Sequence, residues 1–134
     1  MIIGHGVDIA NLARIKKAYQ KNPNFAKKVL TAKELEAFEQ LGPKRQIEFL
    51  AGRFSAKEAY SKAVGTGIGS YVSFKDLEIL NNKQGQPLIM KHPQASKAVV
   101  HLSITHDGDF VVTSVILEKV GPLKRCWQLL RATN

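Results

Sequence analysis

A chain of 134 residues, 44% of them hydrophobic and 23% charged, has the size and balance of a single globular domain. No apolar run reaches the roughly 18–20 residues that span a bilayer, and the N-terminus lacks the basic start of a signal peptide, so we expect neither a membrane segment nor secretion. The single cysteine, Cys126, excludes an internal disulfide and indicates a reducing, cytoplasmic setting, while the formal net charge of +9 favours an acidic or phosphate-rich partner.

The first half of the chain predicts one strand followed by helices. β-Branched residues near the N-terminus predict a short strand with Asp8 close to its end. Asn11 is a suitable N-cap, and Thr31 with Glu34 has the spacing of a capping box. We expect, in chain order, a strand over residues 2–9, a helix from Asn11 to the Asn22-Pro23-Asn24 stop, a short helix or loop over residues 25–30, a helix from Thr31 to the Gly42-Pro43 break, and a long helix over residues 44–64.

The second half of the chain changes to strand-like patterns. Apolar and charged residues alternate over residues 74–80, which predicts a half-buried strand. The remaining predicted elements are a short peripheral strand over residues 87–90, a short helix over residues 92–97, and two strong strands over residues 99–106 and 110–118 that form a hairpin around Asp107-Gly108-Asp109. One strand, several helices and then hairpins predict an α+β domain with an antiparallel sheet packed against helices.

The predicted domain ends near residue 118. Gly121-Pro122 separates the last predicted strand from a basic segment that also carries Trp127. We therefore expect one domain over residues 1–118 and a basic C-terminal extension over residues 119–134. The extension forms either a short amphipathic helix on the body or a loosely ordered tail, and the sequence does not choose between them.

The segment over residues 53–68 holds the most informative side chains. It predicts an amphipathic helix that carries Arg53, Lys57, Glu58 and Lys62 and ends in a glycine-rich loop. Glu58 and Lys62 are four residues apart, so both project from one helix face. A carboxylate beside several cations suits a site that holds a metal ion and a phosphate together, although an ordinary surface salt bridge has the same pattern.

Carboxylates are better candidates for a metal site in this chain than histidines. The four histidines have no compact ligand spacing, which argues against zinc. Magnesium is usually held by one or two carboxylates, with waters and phosphates as the other ligands. Asp8 at a strand end and Glu58 on a helix could supply such a pair, while a structural role for either acid stays open at this point.

The glycine-rich loop and His106 have simple structural interpretations. A phosphate-binding P-loop precedes its helix, whereas residues 65–69 follow one, where the helix dipole is negative. A glycine C-cap is therefore the first interpretation, although glycines also let a bulky ligand approach the backbone. His106 follows an apolar strand face, which is typical of a core or rim histidine, and spacing defines no Ser-His-Asp arrangement.

A basic stretch covers the first predicted helices. Residues 9–33 contain seven basic residues and no acidic one. The stretch is either a solvated basic face or a docking surface for an acidic macromolecule. Its basic residues are Arg14, Lys16, Lys17, Lys21, Lys27, Lys28 and Lys33.

Several short motifs, specific in their order, resemble one known family. They are Gly-Val-Asp-Ile at residues 6–9, Arg14-Ile15, Leu30-Thr31 with Glu34, residues 53–59, Lys62-Ala63, residues 65–68, Asn82 with Gly85 and Pro87, and residues 103–106. Together, over roughly residues 2–118, they resemble the holo-[acyl-carrier-protein] synthases, the small trimeric type of 4′-phosphopantetheinyl transferase. Ser55 stands where alanine is frequent in that pattern, and we expect neither Ser55 nor the extension to touch a residue of the chemistry.

The resemblance implies a magnesium-dependent enzyme of fatty acid biosynthesis with the 4′-phosphopantetheinyl transferase fold. It would move 4′-phosphopantetheine from coenzyme A to a serine of apo-acyl carrier protein and release adenosine 3′,5′-bisphosphate. The family pattern implies Asp8 and Glu58 as metal ligands, with Lys62 as the third catalytic residue. The coenzyme A contacts implied are Arg53, Lys62, Gly65, Thr66, Gly67, Ile68 and His106.

The resemblance also implies the partners. Known members are homotrimers with active sites between subunits, and acyl carrier proteins are acidic. The basic stretch then becomes a docking face, with Arg14, Lys17 and Lys21 as the expected contacts. The serine nucleophile belongs to the carrier protein, and either a metal-bound water or a nearby carboxylate could take its proton.

Two other classes compete with this interpretation. A small basic RNA-binding module would account for the charge, but the sequence has neither an aromatic RNP-like strand nor a GXXG clamp. An inactive scaffold would make the joint presence of Asp8, Glu58 and Lys62 a coincidence. We therefore expect no nucleic acid or membrane partner.

Overall fold

One long helix organises the computed structural model, which describes residues 1–123, Cys126 and Leu130. The elements in chain order are β1 (Ile2–Asn11), α1 (Leu12–Lys21), α2 (Asn24–Val29), α3 (Ala32–Glu39), α4 (Pro43–Val64), a 3-10 turn (Phe74–Asp76), β2 (Glu78–Asn81), β3 (Pro87–Lys91), β4 (Ala98–Asp107) and β5 (Phe110–Lys119). The predicted α+β class is confirmed, since four helices accompany antiparallel strands in the described part of the chain.

The strands form two antiparallel sheets. Three strands pair in the order β1-β5-β4, and β2 with β3 forms a separate two-stranded sheet. The predicted hairpin joins β4 to β5 through a turn at Gly108 and Asp109, where Gly108 has a φ of 57° that favours glycine. The register places Asp8 opposite Thr113, and Thr113 opposite Ile104, so these three side chains lie on one face of the sheet.

Two glycines of β1 allow α4 to lie directly against the sheet. A Cβ added to Gly6 would come within 1.9 Å of the carbonyl oxygen of Ala59, and one added to Gly4 within 2.2 Å of that of Ala63. Any larger residue would push the helix away. The helix and strand therefore approach more closely than ordinary side chains permit, which brings their polar residues into contact.

The helix ends follow the predicted local signals. The Asn11 side chain accepts a hydrogen bond from the Arg14 N–H at the start of α1. Thr31 and Glu34 form the predicted capping box of α3, with both reciprocal hydrogen bonds present. Gly65 ends α4 in the left-handed conformation, with a φ of 92°, which confirms the glycine C-cap.

Two predicted elements differ from the structure. The first half of the predicted strand over residues 74–80 is the 3-10 turn, because Ser73 and Asp76 form a capping box that bends the chain there. Residues 92–97 form turns instead of a short helix. This turn segment is attached to α4, since the Tyr60 hydroxyl accepts from the Gln94 N–H and hydrogen-bonds the His92 ring.

The core consists of two apolar clusters along α4. The first joins α1–α3 and the first half of α4 to the sheet through Ala10, Ile15, Ala26, Val29, Leu30, Phe38, Leu50, Ala51 and Val111. The second surrounds the last turns of α4 through Ala59, Tyr60, Ala63, Val72, Leu77, Ala98, Val115 and Leu117. The buried polar residues Ser55 and Lys57 fall between the two clusters.

The other face of the three-stranded sheet carries exposed apolar side chains. Ile3, Val7, Ile9 and Phe110 are 44–62% exposed, and they project away from the side of the sheet that carries Asp8 and Thr113. In the described residues no helix is long and apolar enough to cross a membrane. The predicted amphipathic extension falls mainly on Lys124, Arg125, Trp127, Leu129 and Arg131, which lie outside the described residues.

Candidate active site

A stripe of small residues on α4 faces β1. Ser55, Ala59 and Ala63 recur every four residues and therefore share one helix face. Ala59 and Ala63 lie against the two glycines of β1, and Ser55 meets Asp8 one step further along the strand. The strand and helix thus run side by side, and their packing brings the acid near residue 8 to the middle of α4.

The carboxylate of Asp8 has different neighbours on its two oxygens. Oδ1 lies 3.0 Å from Nζ of Lys62, and Oδ2 accepts a hydrogen bond of 2.8 Å from Oγ of Ser55. Lys62 also donates to the carbonyl oxygen of Val7 at 3.1 Å. The Asp8 side chain is only 13% exposed, whereas that of Lys62 is 51% exposed. Separating the lysine from Asp8 would therefore expose little additional surface of the lysine.

Glu58 lies beside this pair at the mouth of a cavity. Asp8 and Glu58 both line an opening of about 430 Å³, together with Arg14, Phe25 and Phe54. Burial and the nearby charge of Asp8 raise the pKa of Glu58, while Lys62 acts in the opposite direction. The two carboxylates are therefore close enough to repel each other, and a cation between them would relieve that repulsion.

The residues present fit a magnesium ion. The described residues contain no group of three or more histidine, cysteine, aspartate or glutamate side chains that could hold a metal by themselves. Asp8 and Glu58 offer two hard oxygen donors beside an open cavity, and magnesium commonly takes one or two carboxylates and completes its shell with waters and phosphates. The cation Lys62 already lies against Asp8, which shows that this position favours positive charge.

Lys57 does not belong to this site, although its position in the motif suggested a possible cation for a phosphate. Its side chain is completely buried and paired with the equally buried Glu34. Nζ also donates to the carbonyl oxygen of Val29, and Glu34 accepts from the N–H groups of Thr31 and Ile79. Lys57 therefore connects α2, α3 and β2 to α4 on the side away from Asp8.

Arg53 also lies on the buried side of α4. Its Nε donates to the carbonyl oxygen of Ile79, its Nη2 donates to Oδ1 of Asn81, and the guanidinium stacks 4.1 Å from the Phe49 ring centre. Burial lowers its pKa to about 10, partly offset by Glu34, so it stays charged at neutral pH. Direct contact of Arg53 with coenzyme A stays a prediction, and this placement disfavours it.

The first amides of the glycine-rich loop are hydrogen-bonded to the end of α4. The N–H groups of Gly65, Thr66 and Gly67 all donate to the carbonyl oxygen of Ser61. These amides are therefore not free to cradle a phosphate, as the order of helix and loop already indicated. Contact of Gly65, Thr66, Gly67 and Ile68 with a ligand stays a prediction, and the open space at the Gly65 and Gly67 Cα atoms allows a close approach.

His106 is separated from the Asp8 pair within one chain. His106 is an exposed residue of the edge strand β4, where it pairs with Val111 of β5. Asp8 lies on β1, at the other edge of the sheet. Two strand spacings amount to about 10 Å, which is too far for a common contact with one small group. A role of His106 in the same reaction therefore needs a long ligand or a second subunit.

The expected docking residues lie on one side of α1. Arg14, Lys17 and Lys21 are exposed, and their spacing of three and four residues places them along one stripe. Arg14 also lines the cavity with Asp8 and Glu58. The basic stripe is thus continuous with the mouth of the candidate metal site.

The expectation that Ser55 touches no residue of the chemistry is wrong. Its hydroxyl donates to Asp8 and lies 2.9 Å from the hydroxyl of Thr113. Two signals in the sequence could have revealed this contact: the Gly4-x-Gly6-x-Asp8 alternation of β1 and the recurrence of small residues every fourth position on α4. Together they predict a strand packed closely against that stripe.

Comparisons with known proteins identify the family and the fold. Residues 4–115 match the family model of the 4′-phosphopantetheinyl transferase superfamily. The holo-[acyl-carrier-protein] synthase of Streptococcus thermophilus is 58% identical over 119 residues, which is 89% of this chain and 98% of that protein. Residues 4–115, the range of the family model, include every residue assigned above to the candidate site.

Solved structures have the same fold. A holo-(acyl-carrier-protein) synthase from Bacillus anthracis, in complex with coenzyme A (3′,5′-ADP), aligns with a TM-score of 0.82 and 47% identity, covering 90% of this chain and 99% of that one. The Helicobacter pylori holo-[acyl-carrier-protein] synthase, in complex with coenzyme A, aligns with a TM-score of 0.74 and 30% identity, covering 85% of this chain and 99% of that one.

Proposed function

The chain belongs to the 4′-phosphopantetheinyl transferase superfamily, and from this premise we propose that it acts as a holo-[acyl-carrier-protein] synthase. It transfers 4′-phosphopantetheine from coenzyme A to a serine of apo-acyl carrier protein. The serine oxygen forms the new bond to phosphorus, and adenosine 3′,5′-bisphosphate leaves. The observation that carries this proposal is the 58% identity to a synthase over 98% of that protein's length.

Magnesium is the metal that the site suits best. Asp8 and Glu58 would hold it, and when bound it would neutralise the pyrophosphate of coenzyme A. The support is the pair of carboxylates on one cavity, together with the raised pKa of Glu58, which burial and, to a smaller extent, the charge of Asp8 produce. Phosphoryl transfer depends mainly on charge neutralisation and alignment, and a divalent ion held beside Lys62 would supply both.

Lys62 is the more exposed partner of the Asp8 pair. Its long side chain is half exposed and lies on the last turn of α4, where it pairs with Asp8. A divalent ion held by Asp8 and Glu58 would repel the ammonium, and the side chain would then be available for the phosphates of coenzyme A. The same lysine would balance Asp8 before the substrate binds and the phosphate charge afterwards.

A homotrimer with active sites between subunits completes the proposal. The sheet face away from Asp8 carries the exposed side chains of Ile3, Val7, Ile9 and Phe110, and such a contiguous apolar patch is typical of a protein interface. His106, which is remote from Asp8 within the chain, would then reach the site of a neighbouring subunit. Light scattering should give three times the 14.8 kDa of one chain, and Ile3→Asp should reduce that mass.

The basic stripe of α1 would receive the acidic carrier protein. Charge complementarity accelerates encounter and weakens as salt screens it. Reversing Arg14 and Lys17 together to glutamate should raise KM for the carrier protein about tenfold and leave KM for coenzyme A nearly unchanged. An equal loss for both substrates would argue against a separate docking face. The cytoplasm, where acyl carrier protein and coenzyme A meet, is the proposed location.

Mass spectrometry of apo-acyl carrier protein tests the reaction directly. Incubation with the enzyme, coenzyme A and magnesium should add the mass of one phosphopantetheine group to the carrier protein. Asp8→Ala and Glu58→Ala should each lower the rate at least about a hundredfold while the fold is kept. Unchanged turnover in either variant would remove the proposed metal site, and no mass gain with any carrier protein would remove the proposed reaction.

A further inference from the structure

A chain of two hydroxyl groups ends on the carboxylate of Asp8. Oγ of Ser55 donates to Oδ2 at 2.8 Å, and Oγ1 of Thr113 lies 2.9 Å from the same Ser55 oxygen. Both hydroxyl residues are fully buried. The sheet register places Thr113 opposite Asp8, in the regular part of the β1–β5 pairing, and the stripe of small residues on α4 places Ser55 against both.

The hydroxyl protons of Ser55 and Thr113 can be assigned in one way. A carboxylate only accepts hydrogen bonds, and a serine hydroxyl has a single proton, so the Ser55 proton goes to Asp8. Thr113 must then donate its own proton to Ser55. Hydrogen bonds in series polarise one another, and here no water competes with them because both hydroxyls are buried.

We propose that the Thr113–Ser55 hydroxyl relay fixes the carboxylate of Asp8 so that Oδ1 faces the divalent ion, and that Ser55 thereby sets the ion affinity of the site. This inference rests on the proposed metal role of Asp8. Oδ2 accepts from Ser55, whereas the hydrogen-bond partner of Oδ1 within the described residues is the half-exposed ammonium of Lys62. Ser55 is thus a positioning residue that acts through Asp8 and does not touch the substrate.

The geometry explains why the relay should affect affinity more than the rate of transfer. Without Ser55, the carboxylate is free to rotate, and part of the binding free energy of the ion must then be used to restore one orientation. Outer-shell partners of metal ligands typically change metal affinity about 10–100-fold. Once the ion is bound, the carboxylate is held by the ion itself, so the rate at saturating magnesium should change little.

Manganese binding provides a test that does not depend on turnover. The free Mn²⁺ signal in electron paramagnetic resonance gives the Kd of the protein with coenzyme A present. Ser55→Ala should raise this Kd about tenfold, and Thr113→Val should raise it less because the bond from Ser55 to Asp8 remains. The magnesium concentration for half-maximal transfer should rise by the same factor in Ser55→Ala, with the maximal rate within about twofold of wild type.

Ser61→Ala is the matched control, because Ser61 is equally buried on the same helix and its hydroxyl donates to the carbonyl oxygen of Glu58 and not to Asp8. It should leave the Kd unchanged. Asp8→Asn distinguishes a failure of the relay from a failure of the proposed metal role of Asp8. If Asp8→Asn loses Mn²⁺ but Ser55→Ala binds like wild type, the relay is refuted and the metal role survives.

If Asp8→Asn binds Mn²⁺ like wild type, both ideas are refuted. A lower maximal rate of Ser55→Ala with an unchanged Kd would also refute the relay, since it would show a general structural role. Should Ser55→Ala fail to fold, Thr113→Val decides alone, and an unchanged Kd would then count against the relay.

Discussion

Two lysines of α4, five residues apart, meet acids in opposite ways. Lys57 and Glu34 form a closed pair, with both side chains completely buried. Lys62 and Asp8 form an open pair, in which the lysine is half exposed and the acid borders a cavity. The difference shows that residue type and spacing in the sequence identify the charged groups, whereas burial in the fold decides which of them a ligand can reach.

The closed pair is satisfied by protein groups alone. Glu34 accepts from Lys57 and from the N–H groups of Thr31 and Ile79, and Lys57 also donates to the Val29 carbonyl oxygen. The open pair can still bind other groups, because the Lys62 side chain is 51% exposed and Asp8 lines a cavity together with Glu58. The first arrangement fixes the helix, and the second leaves room for a metal ion and a phosphate.

The largest expected effect breaks the closed pair. Lys57→Met leaves the Glu34 carboxylate buried without its partner, which should cost about 3–5 kcal/mol of the free energy of unfolding. Urea unfolding monitored by circular dichroism measures this loss. Glu34→Gln combined with Lys57→Met should recover part of it, since no uncompensated charge is then buried. Stability equal to wild type in Lys57→Met would show that the pair does not hold α4 in place.

The matched change in the open pair should affect the reaction and not the fold. Lys62→Met removes a half-exposed ammonium, so the free energy of unfolding should change by less than about 1 kcal/mol. The rate of phosphopantetheine transfer should fall about 10²–10³-fold, as when one charge-stabilising donor is removed. Steady-state kinetics with the carrier protein measures the rate. If Lys62→Met lost several kcal/mol of the free energy of unfolding but its folded fraction transferred at the normal rate, Lys62 would have a structural and not a catalytic role.

Much of the fold was predictable from local signals, because they act within a few residues. The N-cap Asn11 and the capping box of Thr31 and Glu34 each begin a helix where the sequence indicated, and the C-cap Gly65 ends one there. The prediction of a strand over residues 74–80 was wrong for its first half. A Ser73–Asp76 capping box stabilises a turn there, which the alternation of apolar and charged residues does not reveal.

The site was predictable only in part, because burial and contacts between distant residues decide the rest. Asp8 and Glu58 lie 50 positions apart in the sequence, and they line the same cavity because β1 packs directly on α4. Glu34 was expected as a cap, yet the same side chain also neutralises Lys57 in the core. The contact of Ser55 with Asp8 went unpredicted for the same reason, although the small residues on both elements encode it.

The smallest expected effect sharpens the contrast on the open side, where Asp8 and Glu58 line one cavity. Burial and Asp8 raise the pKa of Glu58 above its ordinary value, so ionisation of Glu58 costs stability. The stabilisation associated with its protonated form is complete below the ordinary glutamate pKa and is lost as pH rises through the raised value. Glu58→Gln imitates that protonated form. Without metal at neutral pH, it should raise Tm by no more than about 4 °C, because the group is partly exposed, and the difference should vanish in acid. Added magnesium should raise the Tm of the wild type but not of the variant. Calorimetry across pH measures both effects, and a Tm of Glu58→Gln below that of the metal-free wild type at neutral pH would show that the open pair is not under electrostatic tension.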